Sequence, residues 1–283
     1  MHGGSHVILD GELLPRDAAH VGIDDHGFLL GDGVFETLRL YGGVPFRVDA
    51  HMQRLAASAD TVRIEIPWSH AQLSGQIARL VERNQLQRTP GRVRITATRR
   101  RGDSVHATVL VTADPYEPPV ESVYEVGVDV GTAAHARRAH PWHAIKSTSQ
   151  QSNVLLRRQA QQAGLFEMLE WNDAGVLAEG SSCNVFAVDD DGALHTPLPS
   201  DGCLRGVTRD TVVEVAREAG IVVQEGHVTR GRVESAREIF LTNSLIEIMP
   251  VRRFEGRIVG SGASGVVTRA LRSAYRSLTG EVG

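Results

Sequence analysis

Along the first part of the chain, apolar residues recur with two spacings, one typical of strands and one typical of helices. Apolar residues that alternate or follow one another predict strands in the segments HVILDGELL, VFETLRLYGGVPFRV, RVRITATR and VHATVLVT. Dipeptides that favour tight turns interrupt the first two segments, at Asp10–Gly11 and at Gly42–Gly43. We therefore predict two hairpins and, after an intervening helical region, two longer strands.

The region between these strands has the spacing of two helices. Asp49 is positioned to cap the first helix, which we expect to end at about Asp60. Its predicted apolar face consists of Met52, Leu55, Ala56 and Ala59. Ser69 is positioned to cap the second helix. The predicted apolar stripe of that helix consists of Leu73, Ile77, Leu80 and Val81.

The second half starts at about Val123. Its first predicted helix follows Lys146 and stops at Gly164. A second helix has Thr208 near its start and Gly220 at its end, and a third closes the chain through SGVVTRALRSAYRSL. Predicted strands are FEMLEW, GVLAEG, NVFAVD, ALHTP, EIFLTN and MPVRRFEGRIV.

The segment DPYEPPVES separates the two halves. Its prolines break regular structure, so we place a linker at about residues 115–122. The predicted domains are residues 1–118, the smaller one, and residues 123–283, the larger one. Strands and helices occur in both halves, which predicts an α+β protein.

Composition narrows the class of protein. A hydrophobic content of 41% and a charged content of 23% are typical of a soluble globular protein. The net charge of −4 gives no reason to expect nucleic acid or an anionic membrane as a partner. Two cysteines, Cys183 and Cys203, make no disulfide framework, which favours a reducing cytoplasm. No apolar run is long enough for a membrane span.

One basic residue differs from all the others. Lysine and arginine total 30, and Lys146 is the only lysine. Arginine replaces lysine freely on a solvated surface, but it cannot lose its proton at accessible pH or form a Schiff base. Lysine does both once burial or a neighbouring cation lowers its pKa. Lys146 is therefore a candidate for covalent amine chemistry, with an ordinary surface lysine as the alternative.

A lysine that carries an aldehyde cofactor needs further groups around it. The loop-to-helix segment GVTR offers backbone N–H groups for a phosphate, and the turn LTNS offers a second small polar group. Arg54, in HMQRL, is a possible charge partner. Glu179 follows an apolar strand, where a carboxylate is costly unless a cation pairs with it. It is the candidate partner of a pyridine nitrogen.

The order of these motifs carries a resemblance to a known family. GDGVFETLR, HMQRL, the central lysine, AEGSSCNVF, LRGVTRD and FLTNSLIEIMPV resemble the class IV aminotransferases, the fold-type IV enzymes of pyridoxal 5′-phosphate (PLP). The resemblance extends from about Val7 to Leu278. It implies a smaller N-terminal α/β domain and a larger C-terminal domain with a β-barrel-like core. It also implies a homodimer whose active sites lie near the subunit interface.

The resemblance assigns roles to individual residues. Lys146 would form the Schiff base with PLP and move the proton between the substrate Cα and the cofactor C4′. Glu179 would pair with the pyridinium nitrogen. Phe35 would line the substrate pocket, with a plain core phenylalanine as the alternative. The residues that would hold the phosphate are Arg54, Gly206, Val207, Thr208, Asn243 and Ser244.

The motifs favour no single activity within the family. The Thr-Asn pair of LTNS resembles the lyases of the family, whereas the arginine cluster after the fifth predicted strand suits a small carboxylate. We expect a transaminase that prefers D-amino acids, with aminodeoxychorismate lyase as the alternative and a branched-chain L-amino acid or (R)-amine transaminase as the next. The Arg-x-His pair typical of D-amino acid enzymes is replaced by Arg99, Arg100 and Arg101, any of which can receive a carboxylate. Gln151 stands where branched-chain enzymes place a tyrosine.

Two other kinds of site are weakly suggested. His135, His140 and His143 do not have a standard ligand spacing, so we expect no metal. Gly31 and Gly33 precede a strand rather than a helix and lack a third glycine, so the dinucleotide-binding fingerprint is not met.

Overall fold

The computed structural model describes residues 4–101, 106–137 and 144–280. Its chain forms two compact units, each described by itself below. The N-terminal unit comprises residues 1–118 and 145–150, and the C-terminal unit comprises residues 119–144 and 151–283. The segment that carries Lys146 thus groups with the N-terminal unit, although its place in the sequence put it in the predicted second domain. Domain boundaries at 118 and 123 stay a prediction.

A six-stranded antiparallel sheet forms the N-terminal unit, with strand order β2-β1-β6-β5-β3-β4. Its strands are β1 (His6–Leu9), β2 (Glu12–Pro15), β3 (Gly33–Tyr41), β4 (Val44–Pro45), β5 (Gly91–Arg99) and β6 (Ala107–Pro115). Its helices are α1 (His26–Leu30), α2 (Val48–Thr61) and α3 (His70–Arg83). Both predicted hairpins are confirmed, since β1 pairs with β2 around Asp10–Gly11 and β3 pairs with β4 around Gly42–Gly43.

The two predicted helices of this unit differ in how well their ends were placed. Ser69 caps α3 with a capping box, as predicted, and the whole apolar stripe of α3 is buried. The prediction for Asp49 was wrong. The cap of α2 is Arg47, in a left-handed conformation, so Asp49 lies in the first turn, and Ala56 is exposed rather than part of the apolar face. The sequence analysis missed α1 because its apolar residues face solvent and leave no buried period.

The C-terminal unit is built on a mixed sheet of nine strands, ordered β12-β11-β10-β13-β14-β7-β8-β9 with β15 paired to β14. Parallel pairs join β11 to β12 and β7 to both β8 and β14. The strands are β7 (Val128–Thr132), β8 (Glu167–Trp171), β9 (Leu177–Gly180), β10 (Asn184–Val188), β11 (Leu194–Thr196), β12 (Val223–Glu225), β13 (Glu238–Asn243), β14 (Glu247–Phe254) and β15 (Arg257–Ile258).

Five helices complete this unit among the described residues: α4 (Glu121–Val126), α5 (Gln151–Gln162), α6 (Val207–Glu218), α7 (Arg230–Glu234) and α8 (Val266–Thr279). The predicted helices correspond to α5, α6 and α8, and Gly164 and Gly220 adopt positive φ just after the first two. Short elements were missed, namely α4, α7, β7 and β12. Helices and strands in both units confirm the α+β class. In the described ranges, no helix is long and apolar enough to cross a membrane.

Candidate active site

Lys146 lies against the strand that begins the GDGVFE motif. The backbone N–H of Phe35 donates to the carbonyl of Lys146, and that of Thr148 donates to the carbonyl of Gly33, both at 2.9 Å. These bonds attach the segment Ile145–Gln150 to β3 as a short antiparallel bridge. The Lys146 Nζ lies 4.6 Å from the centre of the Phe35 ring. The lone lysine is therefore half-buried and anchored on the sheet rather than on an open surface.

A buried carboxylate on β3 organises the next group of side chains. Glu36 is fully buried, and its two oxygens accept from Nε and Nη2 of Arg54, each at 2.7 Å. His51, also buried, lies with its Nδ1 2.7 Å from the carboxylate. Both partners come from α2, one helical turn apart, so they face the strand together. Arg54, predicted to hold a phosphate, is held here by Glu36.

The protonation of this group follows from its surroundings. Burial alone would raise the pKa of Glu36, but hydrogen bonds and charge from Arg54 and His51 outweigh it and lower the pKa to about 2. Burial lowers the pKa of His51, and the Arg54 and Lys146 charges lower it further, against the opposing effect of Glu36. A neutral His51 donates its Nδ1 hydrogen to the ionised Glu36.

The three arginines predicted to receive a substrate carboxylate are engaged elsewhere. Arg99 donates to Asp32 at 2.7 Å and to the carbonyl of Val62 at 2.6 Å. Arg100 pairs with Asp10. Arg101 is exposed and lies 3.5 Å from Asp24. These contacts join loops and turns of the N-terminal unit, so the predicted role of the three arginines gains no support from them.

Arg94, which the sequence analysis did not single out, is placed differently. Its guanidinium carbon lies 3.7 Å from the centre of the Phe35 ring, the ring that Lys146 also contacts. Arg94 is half-buried and donates to the hydroxyl of Thr96, but forms no ion pair with a carboxylate in the described part of the chain. Burial and then the charge of Arg92 lower its pKa. A guanidinium in this position can donate hydrogen bonds to the carboxylate of a bound ligand. Its strand position, between apolar residues, carried no signal in the sequence.

In the C-terminal unit, Glu179 has the cationic partner that its buried strand position predicted. Arg137 Nη2 lies 2.9 Å from Glu179 Oε1, and Arg137 Nη1 lies 2.6 Å from Glu170. The backbone N–H of Leu204 donates to the second Glu179 oxygen at 2.9 Å. The Glu179 carboxylate at the end of β9 is therefore held from two directions, by a guanidinium and by a backbone N–H. Nothing in the sequence distinguished Arg137 from the many other arginines.

The start of α6 fits an anion. Its N-cap is Gly206, and no side chain caps the helix, so the N–H groups of its first turn are left for another acceptor. Thr208 is buried, and its hydroxyl has no hydrogen-bond partner among the described residues. Gly206, Val207 and Thr208 thus occupy the loop-to-helix position that the sequence analysis assigned to them.

The turn LTNS is used partly for its own structure. The Asn243 side-chain oxygen accepts from the N–H groups of Leu245 and Ile246, both at 2.9 Å, and its nitrogen donates to the Ser182 carbonyl at 3.0 Å. Asn243 therefore shapes the turn, and its phosphate role stays a prediction, as does that of Ser244. Gln151 is the exposed first residue of α5, and its substrate role stays a prediction.

The structure adds no support to a metal site built from His135, His140 and His143. His140 and His143 lie outside the described residues. Within the described ranges, no cluster of three metal-ligating side chains occurs.

Comparison with known proteins identifies the family. Residues 33–254 match the family described as amino-transferase class IV. The chain belongs to the class IV aminotransferases. A D-alanine aminotransferase of Bacillus licheniformis is 34% identical to it over 280 residues, which cover 96% of each chain. A branched-chain-amino-acid aminotransferase of Pseudomonas aeruginosa is 32% identical over 287 residues, covering 95% of this chain and 91% of the relative.

Solved structures confirm the fold of this class IV aminotransferase. The branched-chain amino acid aminotransferase from Escherichia coli superposes with a TM-score of 0.89 at 29% identity, covering 99% of this chain and 96% of that one. Another solved branched-chain enzyme, which contains pyridoxamine 5′-phosphate, superposes with a TM-score of 0.90. The predicted fold-type IV architecture is therefore correct. The enzyme is a PLP-dependent aminotransferase that acts on small amino and keto acids.

The residues described above fit PLP. Its phosphate needs unclaimed N–H groups and a hydroxyl, which the uncapped start of α6 and Thr208 offer. Its pyridine nitrogen needs an ionised carboxylate, which Glu179 offers beside Arg137. Its aldehyde needs an amine, and Lys146 is the only lysine of the chain.

Proposed function

We propose that this enzyme transaminates D-amino acids with small side chains, and that Arg94 receives the substrate carboxylate. The observation that carries the proposal is the group formed by Lys146, Phe35 and Arg94. One aromatic ring is contacted by an amine and by a guanidinium that lacks an acidic partner in the described chain. An amino acid presents one group for each: an amine centre for chemistry and a carboxylate for binding.

The roles of the chain's own residues follow from this assignment. PLP, once bound, supplies an electron sink for the substrate Cα. Lys146 would hold the cofactor through its aldehyde and would move the Cα proton as general base and acid. Glu179 would pair with the pyridine nitrogen, with Arg137 and the Leu204 N–H holding its carboxylate in place.

The phosphate is assigned first to the start of α6. The first N–H groups of this helix and the Thr208 hydroxyl donate to it, helped by the positive end of the helix dipole. Ser244 and Arg54 are the further candidates. Arg54 lies beside them in this assignment as a guanidinium held in place by Glu36.

The preference for D-amino acids is supported by the similarity to a D-alanine aminotransferase over nearly the whole chain. The branched-chain hypothesis has its own support in the P. aeruginosa relative and in the E. coli structure. The lyase hypothesis rests on the Thr-Asn pair of the LTNS turn, where Asn243 serves the turn itself. A substrate assay separates the three.

The test is the visible absorption of the purified holoenzyme, recorded before and after addition of D-alanine, and of L-leucine in a fresh sample. D-Alanine alone is expected to convert the lysine-bound PLP band to the pyridoxamine form, with release of pyruvate. Conversion by L-leucine alone would replace the proposal with the branched-chain hypothesis. Aminobenzoate released from aminodeoxychorismate, with no response to either amino acid, would replace it with the lyase.

The role of Arg94 is tested by Arg94→Gln, with Arg92→Gln as the matched control. Both arginines lie on β5 and point to the same face, but Arg92 is exposed and does not contact Phe35. Arg94→Gln is expected to raise KM for D-alanine by about ten- to hundred-fold, the cost of a lost charge-assisted hydrogen bond. Equal KM values in the two variants would overturn the assignment.

A homodimer is part of the proposal. Residues around α1 expose unusually large apolar side chains for a monomer surface: Val21, Ile23, Phe28, Leu29 and Leu30. Ile23 and Phe28 are 86% and 74% exposed, and we assign this surface to a second copy of the chain. Light scattering after size exclusion is expected to give twice the chain mass, and Phe28→Glu to reduce it; a monomeric wild type would refute the dimer.

A cytoplasmic location completes the proposal. Cys183 and Cys203 are both free and buried, which suits a compartment that keeps thiols reduced. Fractionation of expressing cells tests it, with recovery in the membrane or the medium as the contradicting result.

A further inference from the structure

We propose that Asn184 is a positioning residue that holds the carboxylate of Glu179 and the start of α6 in a fixed spacing. The proposal deepens the function above and rests on it, since Glu179 and the α6 N-terminus are there assigned to the two ends of PLP. Asn184 is not assigned a contact with the cofactor. It positions the backbone of Leu204, which in turn donates a hydrogen bond to Glu179.

The Leu204 backbone is bonded at both ends to the site. Its N–H donates to Glu179 Oε2 at 2.9 Å, and its carbonyl accepts from Asn184 Nδ2 at 2.7 Å. Leu204 lies in the irregular loop that leads into α6, two residues before the N-cap Gly206. The amide of Asn184 therefore fixes the loop residue that also donates to Glu179.

A second contact places the same side chain against the N-cap. A Cβ added to Gly206 would lie 2.0 Å from Asn184 Oδ1, far inside contact distance. The backbone of Gly206, at φ −73° and ψ 137°, is one that any residue adopts. Glycine is therefore required there for space and not for conformation, because Asn184 packs directly on the helix start.

Asn184 is itself firmly held. It is buried and is the first residue of β10, where it pairs with Thr242 of β13. The turn before it is closed by a 2.8 Å bond from the Gly180 N–H to the Cys183 carbonyl, directly after Glu179. Asn184 thus anchors the loop before α6 to the sheet. Glu179 at the end of β9 and the start of α6 are linked through Leu204 and Asn184.

The functional consequence concerns a rigid ligand. The pyridine nitrogen and the phosphate of PLP lie at a nearly constant separation, so a site that binds both gains affinity when its two partners are held at a matching separation. Loss of the Asn184 bond frees the loop to move away from Glu179. Affinity for PLP is then lost without removal of any group that touches it.

The first experiment compares Asn184→Ala with Thr196→Val. Thr196 is a buried residue of the same sheet whose hydroxyl donates to the Val185 carbonyl at 2.9 Å, with no contact to the loop or to Glu179. Each variant loses one buried side-chain to backbone bond, so similar losses of stability are expected. The dissociation constant of PLP, from absorbance titration of the apoenzyme, should rise about ten-fold or more for Asn184→Ala only. The ³¹P resonance of bound PLP should move in that variant only.

The second experiment is a double-mutant cycle with Gly206→Ala. The new methyl group displaces the Asn184 side chain and so breaks the same contact as Asn184→Ala. The two single substitutions should each weaken PLP binding, and the double variant should be no weaker than the worse single variant. Gly206→Ala also tests the proposal if Asn184→Ala fails to fold.

The outcomes separate this inference from the proposed function. A wild-type protein that binds no PLP overturns the proposed function. A wild type that binds PLP, with Asn184→Ala matching Thr196→Val in affinity and in the ³¹P spectrum, overturns the positioning role alone. The positioning role would likewise be overturned if the increase in the PLP dissociation constant of the double variant equalled the product of the increases in the two single variants. That result would show that the two residues act independently.

Discussion

Glu36 in the N-terminal unit and Glu179 in the C-terminal unit are both buried against an arginine, but the two carboxylates are held differently. Glu36 is fully buried and receives two nitrogens of Arg54 together with His51, all from the neighbouring helix. Glu179 stands at a strand end and receives one nitrogen of Arg137 and one backbone N–H from a loop. Both lie in motifs that carry the family resemblance.

The different surroundings of the two carboxylates indicate different roles, one in the stability of the fold and one in the reaction. Glu36 turns both oxygens toward the neighbouring helix α2, which makes it a fixed part of the fold that orients Arg54. Glu179 is fixed by partners from two segments that lie outside the strands, and its position beside the α6 start suits a ligand. The first should therefore govern the stability of the protein, and the second its reaction.

The largest expected effect is that of Glu36→Gln on stability. The substitution leaves the Arg54 charge partly buried beside a neutral amide, and breaking such a pair costs about 3–5 kcal/mol of unfolding free energy. Urea denaturation at pH 7 measures it. Glu65→Gln, on an exposed carboxylate of the same unit, is the control and should change stability by less than about 0.5 kcal/mol. Equal losses would show that Glu36 is not structural.

Glu179→Gln should act on the reaction instead. A neutral amide does not keep the pyridine nitrogen protonated, so turnover should fall roughly hundred- to thousand-fold, as when a preorganised electrostatic group is removed. The unfolding free energy should fall less than in Glu36→Gln. Glu170→Gln, on the other carboxylate that pairs with Arg137, is the matched control and should keep most of the turnover. Similar kinetics in both variants would contradict the assigned role.

Acid should destabilise the protein through Glu36. The unfolded chain binds a proton at this residue near pH 4.5, but the folded chain binds it only near pH 2. Stability is therefore fully present above pH 4.5 and falls between these values, by about 3 kcal/mol for this group. Denaturation midpoints from pH 5 to pH 2 measure the slope. Glu36→Gln should flatten it, and an unchanged slope in that variant would contradict the assignment.

His51→Gln should have the smallest effect. The substitution removes the Nδ1 bond to Glu36, which is expected to cost about 1–2 kcal/mol at pH 7. His51 has a lowered pKa in the folded chain, so its contribution is present above pH 6.5 and is lost as the pH falls below that value. The variant should lose this part of the pH dependence in urea titrations from pH 7 to pH 5. A slope equal to that of the wild type would show that folding does not shift the pKa of His51.

Local rules predicted much of the fold. The Asp10–Gly11 turn and the Ser69 cap depend on residues close in sequence, and both were predicted correctly. The start of α2 was predicted wrongly because Arg47 adopts a left-handed conformation, which arginine favours less than glycine or asparagine and which no local pattern indicates. The elements α1, α7 and β12 were missed because they bury at most one residue each and so show no period.

The candidate site divides in the same way. Lys146, Glu179 and the start of α6 could be selected because residue type and strand or helix position sufficed. The partners could not: Arg94 and Arg137 are two arginines among many, and their importance comes from what they face. The run Arg99–Arg101 attracted attention by composition, but its contacts are with aspartates and carbonyls that lie far away in sequence.

The path of the backbone through the two units has a consequence for biosynthesis. Residues 145–150 complete the N-terminal unit by pairing with β3, whose own residues leave the ribosome much earlier. A nascent chain that ends at residue 118 holds all six strands of that sheet but lacks Lys146, the amine that we propose reacts with the cofactor. With that role, covalent loading with PLP waits until translation has passed residue 146, and a truncated product of the first 118 residues does not capture the vitamin-derived aldehyde through this lysine.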